Sequence, residues 1–526
     1  MSGTLARLAQ WAAGLNDADI PPDVLERARL QHLSTAGSIR SVISRPECVA
    51  VQESGPSRGK ARLMTPLRTA ANSSPDHAVQ VHSTAACLTD HVDNLFWGQP
   101  GPSIVPVTWA HPKKASLREL LTATVIANEV SARLGASTLF SSAPGLAASW
   151  VHALGAAAAV ARLSKLDEQQ TLHAYAIALG DCGPSTWRIS LGSQLNRGLQ
   201  VAHAARAGVE SAGLAARGTT GGTHILDRRG GLFERVSYLP LRSAFTGLGS
   251  TWLTRTLCFP PRPGSPFVQV PVQAVHEILR RHVKAADKRL RVSQLERVEV
   301  QTSILGCASE QISASCLGSR SSRITHSISG SIGALVCAYE LGPDQVEAGW
   351  LETHRAEVAE VASRVEVTHD WAHTEALLEH LSDVAAPLFA GLSMKEIKQA
   401  ADRAQADYPG VNPGPPPLIH LLPGNRFLEG LLKKAAQSSG DLADLDERDL
   451  RYPAPTEVKL YTSRGGWWPE RRDTPDGAPG ASWDATVEGM FRKFAGAQPE
   501  LRQTGATLFE SDDDTPAKKW VGQLLA

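Results

Sequence analysis

The first residues along the chain with the types and spacing for proton chemistry are Asp90 and Asp93, with His91 between them. Two carboxyl groups this close, one held protonated and one ionised, would serve as an acid and base pair. The same acidic residues lie in a turn ahead of Gly98-Gln99-Pro100, where capping and helix-dipole roles are equally natural. His369 and His373, four apart with Asp370 between, could share one helix face as zinc ligands. The metalloprotease pattern needs Glu where Asp370 stands, so no metal is expected there. Gly55-Pro56-Ser57-Arg58-Gly59 has the spacing of a nucleophile elbow, but Pro56 and its polar neighbours suit a loop better than a strand-to-helix turn. The chain has no Gly-x-Gly-x-x-Gly and no phosphate loop, which leaves nucleotide chemistry without support.

Composition narrows the setting of such chemistry. The 526 residues, 42% hydrophobic, suffice for a large core and more than one domain. Lys and Arg total 53 against 53 Asp and Glu, so no overall field draws nucleic acid or an anionic membrane surface. A charged ligand must be held locally. The stretch from Met1 to Asp17 lacks the uninterrupted apolar segment of a secretory signal. Even the Ala-rich run from Ala153 to Gly180 is broken by Arg162, Lys165, Asp167 and Glu168, well short of the roughly 20 apolar residues a membrane span requires. The seven cysteines are scattered and form no Cys-x-x-Cys pair, which argues against a disulfide framework or zinc knuckle and fits the cytoplasm.

The elements that must position these groups are mostly helical in the first half. Apolar residues at helical spacing predict helices over Leu117 to Leu134 and Leu154 to Leu163, and Asp167 is placed to cap a third running through Ile177 to near Gly180. A fourth, Gly198 to Ala216, carries small residues that permit close helix approach, and Gly218 is placed to end it. Near Phe259 the prolines 260, 261, 263 and 266 crowd together, and a domain boundary is expected where no regular element can persist. Beyond it come strands at Leu295 to Thr302, Arg364 to Thr368 and Thr456 to Tyr461, with a buried helix at Ile332 to Tyr339. Tyr408 to Pro423 and Gln437 to Asp449 read as loop or lid, and Trp483 to Phe494 returns to a helical pattern.

Several stretches, taken in order, resemble the MmgE/PrpD family, which includes 2-methylcitrate dehydratase and cis-aconitate decarboxylase. They are Ser83-Thr84-Ala85-Ala86 leading into Asp90 to Asp93, Pro100 to Pro106, and the Ala-rich helix from Ala153 with Leu166-Asp167 and Ala178. The helix from Ala204-Ala205 to Gly218 with Thr220-Gly221, and Ser327 to Gly342 followed by a Val-Glu-Val strand, complete the series. The resemblance implies a mainly α fold: a large all-helical domain, discontinuous in sequence (1–255 and 476–526), with a smaller inserted α+β lid domain (256–475). It also implies a homodimer, no metal or other cofactor, and a small-molecule substrate bound between the domains.

In the family that site removes water or carbon dioxide from polycarboxylates through a carbanion-like state, which calls for a base and for cations. This sequence keeps Asp90 and Asp93 but carries Gln99, Leu146, Arg197 and Gln200 where the resemblance implies His, His, Lys and His. Pro261, Val270 and Gly330 fall where it implies Lys, His and Tyr. An amide orients oxygen without exchanging a proton, and an arginine stays charged. His326, beside Ser327 in a segment that the resemblance turns toward the cleft, is the best remaining histidine for proton transfer. Asp181 and Trp187 end a core helix where substrate would lie, although packing and capping explain them equally.

The expectation is therefore an enzyme of a specialised biosynthetic pathway with a rebuilt pocket. Gln99, Gln200, Arg197 and His326 would orient a reactant for dehydration, decarboxylation, isomerisation or ring closure. Asp90, Asp93 or His326 would carry any proton transfer. An ordinary lyase using His82, His91 or His111, and a non-catalytic binding subunit, are the alternatives. Arg197→Ala is expected to abolish activity while leaving thermal melting nearly unchanged.

Overall fold

A computed structural model describes residues 3–65, 71–96, 98–111, 114–140, 147–185, 194–316, 324–407, 430, 433–445 and 453–526. The fold is mainly α with a small α+β portion. Trp187, Leu146 and the Tyr408 to Pro423 stretch lie outside the described residues, as does the end of Gln437 to Asp449.

The expected helices form where their signals stand. Ser116 and Glu119 make a reciprocal capping box that starts the Leu117–Ser137 helix. Asp167 and Gln170 do the same for Glu168–Asp181. Gln194–Ala215 is followed by Gly218 at φ +90°, a conformation that favours glycine. Small residues let these helices approach closely. A Cβ on Gly208 would lie 2.1 Å from the Ala153 carbonyl oxygen, and one on Gly198 would lie 2.6 Å from that of Thr84. Larger residues there would push the Gln194–Ala215 helix off Ala148–Leu163 and Pro75–Cys87.

Two short antiparallel ladders, β1 (Ala61–Leu63) with β2 (Ala71–Ser73) and β3 (Asn94–Leu95) with β4 (Leu257–Cys258), brace this helical body. The remaining strands, β5 (Leu295–Thr302), β6 (Val365–His369), β7 (Thr456–Thr462) and β8 (Trp467–Arg472), make one sheet in the order β6-β5-β7-β8. β5 and β6 are parallel; the other pairs are antiparallel. Val298, Val300, Val458 and Leu460 bury one face against the Pro266–Ala286 and Ile328–Ala338 helices, giving a second core.

The proline-rich stretch does not stay irregular to its end. Pro266 is the first residue of a 21-residue helix, where a missing N–H breaks no bond. Val268, Val272, Val275, Ile278 and Leu279 form its buried stripe. Nor does everything between 256 and 475 share the second core. Leu388, Phe389, Ala400 and Leu442 pack into the helical body, as do Phe494, Leu508 and Trp520 of the C-terminal helices. No helix among the described residues is long and apolar enough to cross a membrane.

A buried ion pair ties the Leu117–Ser137 helix to the stretch preceding β4. Arg133 donates to Glu129 at 3.0 Å and to the Thr251 carbonyl at 3.1 Å, while Glu129 accepts from the Thr254 amide at 2.7 Å and hydroxyl at 2.8 Å. Both side chains are almost fully buried. Arg133→Met should cost about 3–5 kcal/mol in urea unfolding, because Glu129 is left charged in the interior. A loss below about 1 kcal/mol would show that the pair holds nothing together.

Candidate active site

The Pro75–Cys87 helix ends at Leu88, and the next residues turn sharply, with Asp90 at φ +51°. For a non-glycine residue this left-handed conformation costs energy, and Asp is among the few that tolerate it. The loop is held from every side. Gly264 donates its amide to the Asp90 carbonyl at 3.2 Å, and the His91 ring bonds the Pro260 carbonyl at 3.0 Å. The His91 carbonyl accepts from Ser38 and, at 2.6 Å, from Lys493. Asp93 accepts from Gln31 at 2.8 Å, and Gln31 in turn pairs with Asn128. The β3–β4 ladder fixes the far end.

So held, the Asp90 carboxylate, only 3% exposed, becomes a junction between the helical body and the α+β portion. One oxygen bonds Arg197 on the Gln194–Ala215 helix. The other accepts from the Thr325 hydroxyl at 2.7 Å and lies 3.3 Å from His326 Nε2. Arg197 also donates to Gln99, whose amide nitrogen reaches Asn94 at 2.8 Å. Four expected site residues, Asp90, Gln99, Arg197 and His326, thus converge.

Others do not join that junction in the expected way. Asp93 is turned into the body with Gln31, so Asp90 and Asp93 are not a facing acid and base pair. Gln200 accepts from Ser185 at 3.3 Å. Asp181 is exposed at the end of its helix. Trp187 lies outside the described residues. His369 ends β6, while Trp371 begins the next helix, so His369 and His373 do not share a helix face; His369 bonds Thr374 at 2.7 Å. Ser57 lies in the loop between the Pro46–Glu53 helix and β1, not at a strand-to-helix turn. Among the described residues no group of three or more His, Cys, Asp or Glu is placed to hold a metal ion.

Burial sets the protonation of the groups behind the junction. It pushes the Asp93 carboxyl up, opposed by Gln31 and by the Lys493 cation. It pushes Lys493 down to about 7, opposed by Asp93. His82, whose Nε2 accepts from the Met64 amide at 3.0 Å, is lowered to about 3, and His91 falls well below its ordinary value. His152, beside Ser103 at 2.8 Å, is lowered to about 4. A neutral His82 and His91 with ring nitrogens on main-chain partners are part of the scaffold.

The sequence reading missed Thr325, Lys493 and Glu310. The Glu310 carboxylate accepts the Ile328 amide at 2.5 Å and the Ser327 hydroxyl at 3.2 Å, at the start of the helix following His326. Nothing local marks any of the three; Lys493 in a last helical turn reads as an ordinary dipole partner.

Residues 6–240 match the family model for the MmgE/PrpD N-terminal domain. No curated protein matches the chain.

The expectation that Arg197→Ala leaves melting unchanged is revised by this geometry. Removing the guanidinium strands a buried Asp90, so urea unfolding should show a loss of about 3 kcal/mol. Asp90→Asn combined with Arg197→Ala should recover at least half of it; no recovery would mean that Arg197 acts through packing alone. A second outcome concerns acid. The histidines 82, 91 and 152 have depressed folded values, so their contribution is complete above about 6.5 and is lost as pH falls toward 4 and below. Asp93, raised by burial, acts in the opposite sense. His82→Gln should therefore flatten the fall in stability between pH 6.5 and 4 by about 1.4 kcal/mol per pH unit. An unchanged slope would refute the neutral assignment.

Proposed function

Through its N-terminal domain this chain belongs to the MmgE/PrpD family, and on that premise we propose that it is an enzyme with a rebuilt site acting on a small molecule. His326 is its proton carrier and Asp90 the anion that orients the imidazole. The observation that supports this reading is the 3.3 Å approach of His326 Nε2 to the Asp90 carboxylate, made across the body and the α+β portion. A carboxylate on one ring nitrogen fixes the tautomer and stabilises the imidazolium that forms when the ring takes a proton. Arg197, held between Asp90 and Gln99, supplies a permanent positive charge beside the place where an enolate oxygen would develop. Removal of a proton next to a carbonyl, followed by isomerisation, loss of water or carbon dioxide, or ring closure, is the chemistry this set favours.

The ordinary polycarboxylate lyase is less well supported. His82 and His91 each direct a ring nitrogen to the main chain, and both are neutral through burial. The reading retains a homodimer from the family, with no nucleic acid or membrane partner, and a place in a specialised pathway.

The test is exchange of carbon-bound protons, followed by proton NMR in D2O, across a panel of ketoacids, β-ketoesters and unsaturated lactones. His326→Gln should slow wild-type exchange by about 10²-fold or more, while Thr325→Val, which keeps the histidine, should slow it less. Full exchange in His326→Gln would refute the assignment. Release of water from 2-methylcitrate or of carbon dioxide from cis-aconitate by both proteins would restore the ordinary lyase. Binding of panel members without exchange would favour a non-catalytic subunit.

A further inference from the structure

A cavity of about 350 Å³ opens where the Trp483–Ala495 helix meets the Pro266–Ala286 helix and the end of β8. It shares no residue with the Asp90 cluster, and its size is at the lower end of small-molecule sites. Four arginines line it from four stretches of chain: Arg262 after β4, Arg280 on the Pro266–Ala286 helix, Arg472 at the end of β8, and Arg492 on the Trp483–Ala495 helix. His276 stands among them.

Each guanidinium has a carboxylate near one edge. Glu277 lies 3.4 Å from Arg280, Glu488 accepts from Arg492 at 3.0 Å, and Asp476 accepts from Arg472 Nη1 at 3.0 Å. Glu470 is 3.7 Å from Arg472 and Glu340 is 3.6 Å from Arg262, both beyond hydrogen-bond length. What the acids leave over is specific. Arg262, only 13% exposed, directs Nη2 to His276 Nδ1 at 3.1 Å, while its Nη1 reaches the surface with no acceptor among the described residues. Arg472 Nη2 is open in the same way. Because a guanidinium can only donate, His276 Nδ1 must accept, so the ring is neutral and carries its proton on Nε2. Burial and the Arg262 charge both lower this histidine, in agreement. Its Nε2 also reaches the surface without a partner among the described residues.

Three open donors therefore line one cavity that offers them no acceptor. Burial, and to a smaller degree Arg472, disfavours the charge on Arg262, and an anion between the two guanidinium groups relieves both effects. A carboxylate has two oxygens to offer, whereas a phosphate group has three terminal oxygens and close to two negative charges. We propose that this cavity binds a phosphate group, whose terminal oxygens accept from Arg262, Arg472 and His276. The organic part of a small phosphate ester would lie along Pro261, Ala481 and Ala485, which keep accessible surface. Arg280 and Arg492, about 70% exposed at the mouth, steer the dianion inward. Nothing in the assignment depends on the chemistry at Asp90.

Calorimetry on the full chain at constant ionic strength tests it, with glycerol 3-phosphate, inorganic phosphate, succinate and glycerol as probes. Both phosphate probes should bind more tightly than succinate, and glycerol should not bind. A tighter ester than free phosphate marks an ester site; equal affinities mark a site for the free ion. Arg262→Gln should weaken glycerol 3-phosphate by about tenfold or more, with Arg472→Gln serving if that variant does not fold. Ala485→Glu, which brings a carboxylate to the exposed mouth, should weaken it by about fivefold. Arg217→Gln, an exposed charge elsewhere on the body, should leave it unchanged. Absence of binding by both phosphate probes overturns the proposal. So does succinate binding as tightly as glycerol 3-phosphate, or the same affinity in Arg262→Gln, Ala485→Glu and Arg217→Gln.

Discussion

A buried carboxylate on a left-handed backbone bridges the two parts of this molecule. Asp90 sits at φ +51° and is 3% exposed, and its carboxylate is ion-paired with the Arg197 guanidinium. Such a group is stable only if every lone pair meets a donor, because desolvation otherwise outweighs the Coulomb attraction of one partner. Arg197 from the body, with Thr325 and His326 from the α+β portion, supplies those donors. Displacing either side strips the buried carboxyl of donors, so the relative placement of the two parts and the pairing of Asp90 are one constraint.

The rest of the local architecture serves that constraint. The loop bearing Asp90 is pinned by Ser38, by Pro260 and Gly264, and by Lys493, from three widely separated places in the chain. Lys493 comes from the Trp483–Ala495 helix, which packs into the helical body. The C-terminal return therefore does more than close the fold; it places an ammonium near neutrality behind the aspartates. Strain at a candidate functional residue, over-determined by its surroundings, is how proteins keep such conformations.

How much of this was legible in the sequence differs between levels. The helices could be read because their signals are local: Asp167 and Gln170 three apart make a capping box, and Gly218 ends a run of small apolar residues. The Pro266–Ala286 helix was hidden because proline is read as a breaker, whereas at a first helical position its missing N–H costs nothing. At the site, the aspartates stood out as a pair by spacing, yet the fold sends Asp93 to Gln31 and leaves Asp90 alone at the junction. Neighbouring residues in a turn point in different directions, and no spacing rule reveals which.

The sequence by itself determined several helices of the body and three of the four strands of the α+β portion, β5, β6 and β7, since these depend on residue identity and short-range periodicity. Only the tertiary structure decided that Arg197, 107 residues from Asp90, and Thr325, 235 residues away, would meet the same carboxylate. The physical reason is that a buried charge selects its partners by proximity in space after the cores have packed, and that proximity is set by the sum of many weak apolar contacts rather than by any short stretch of chain.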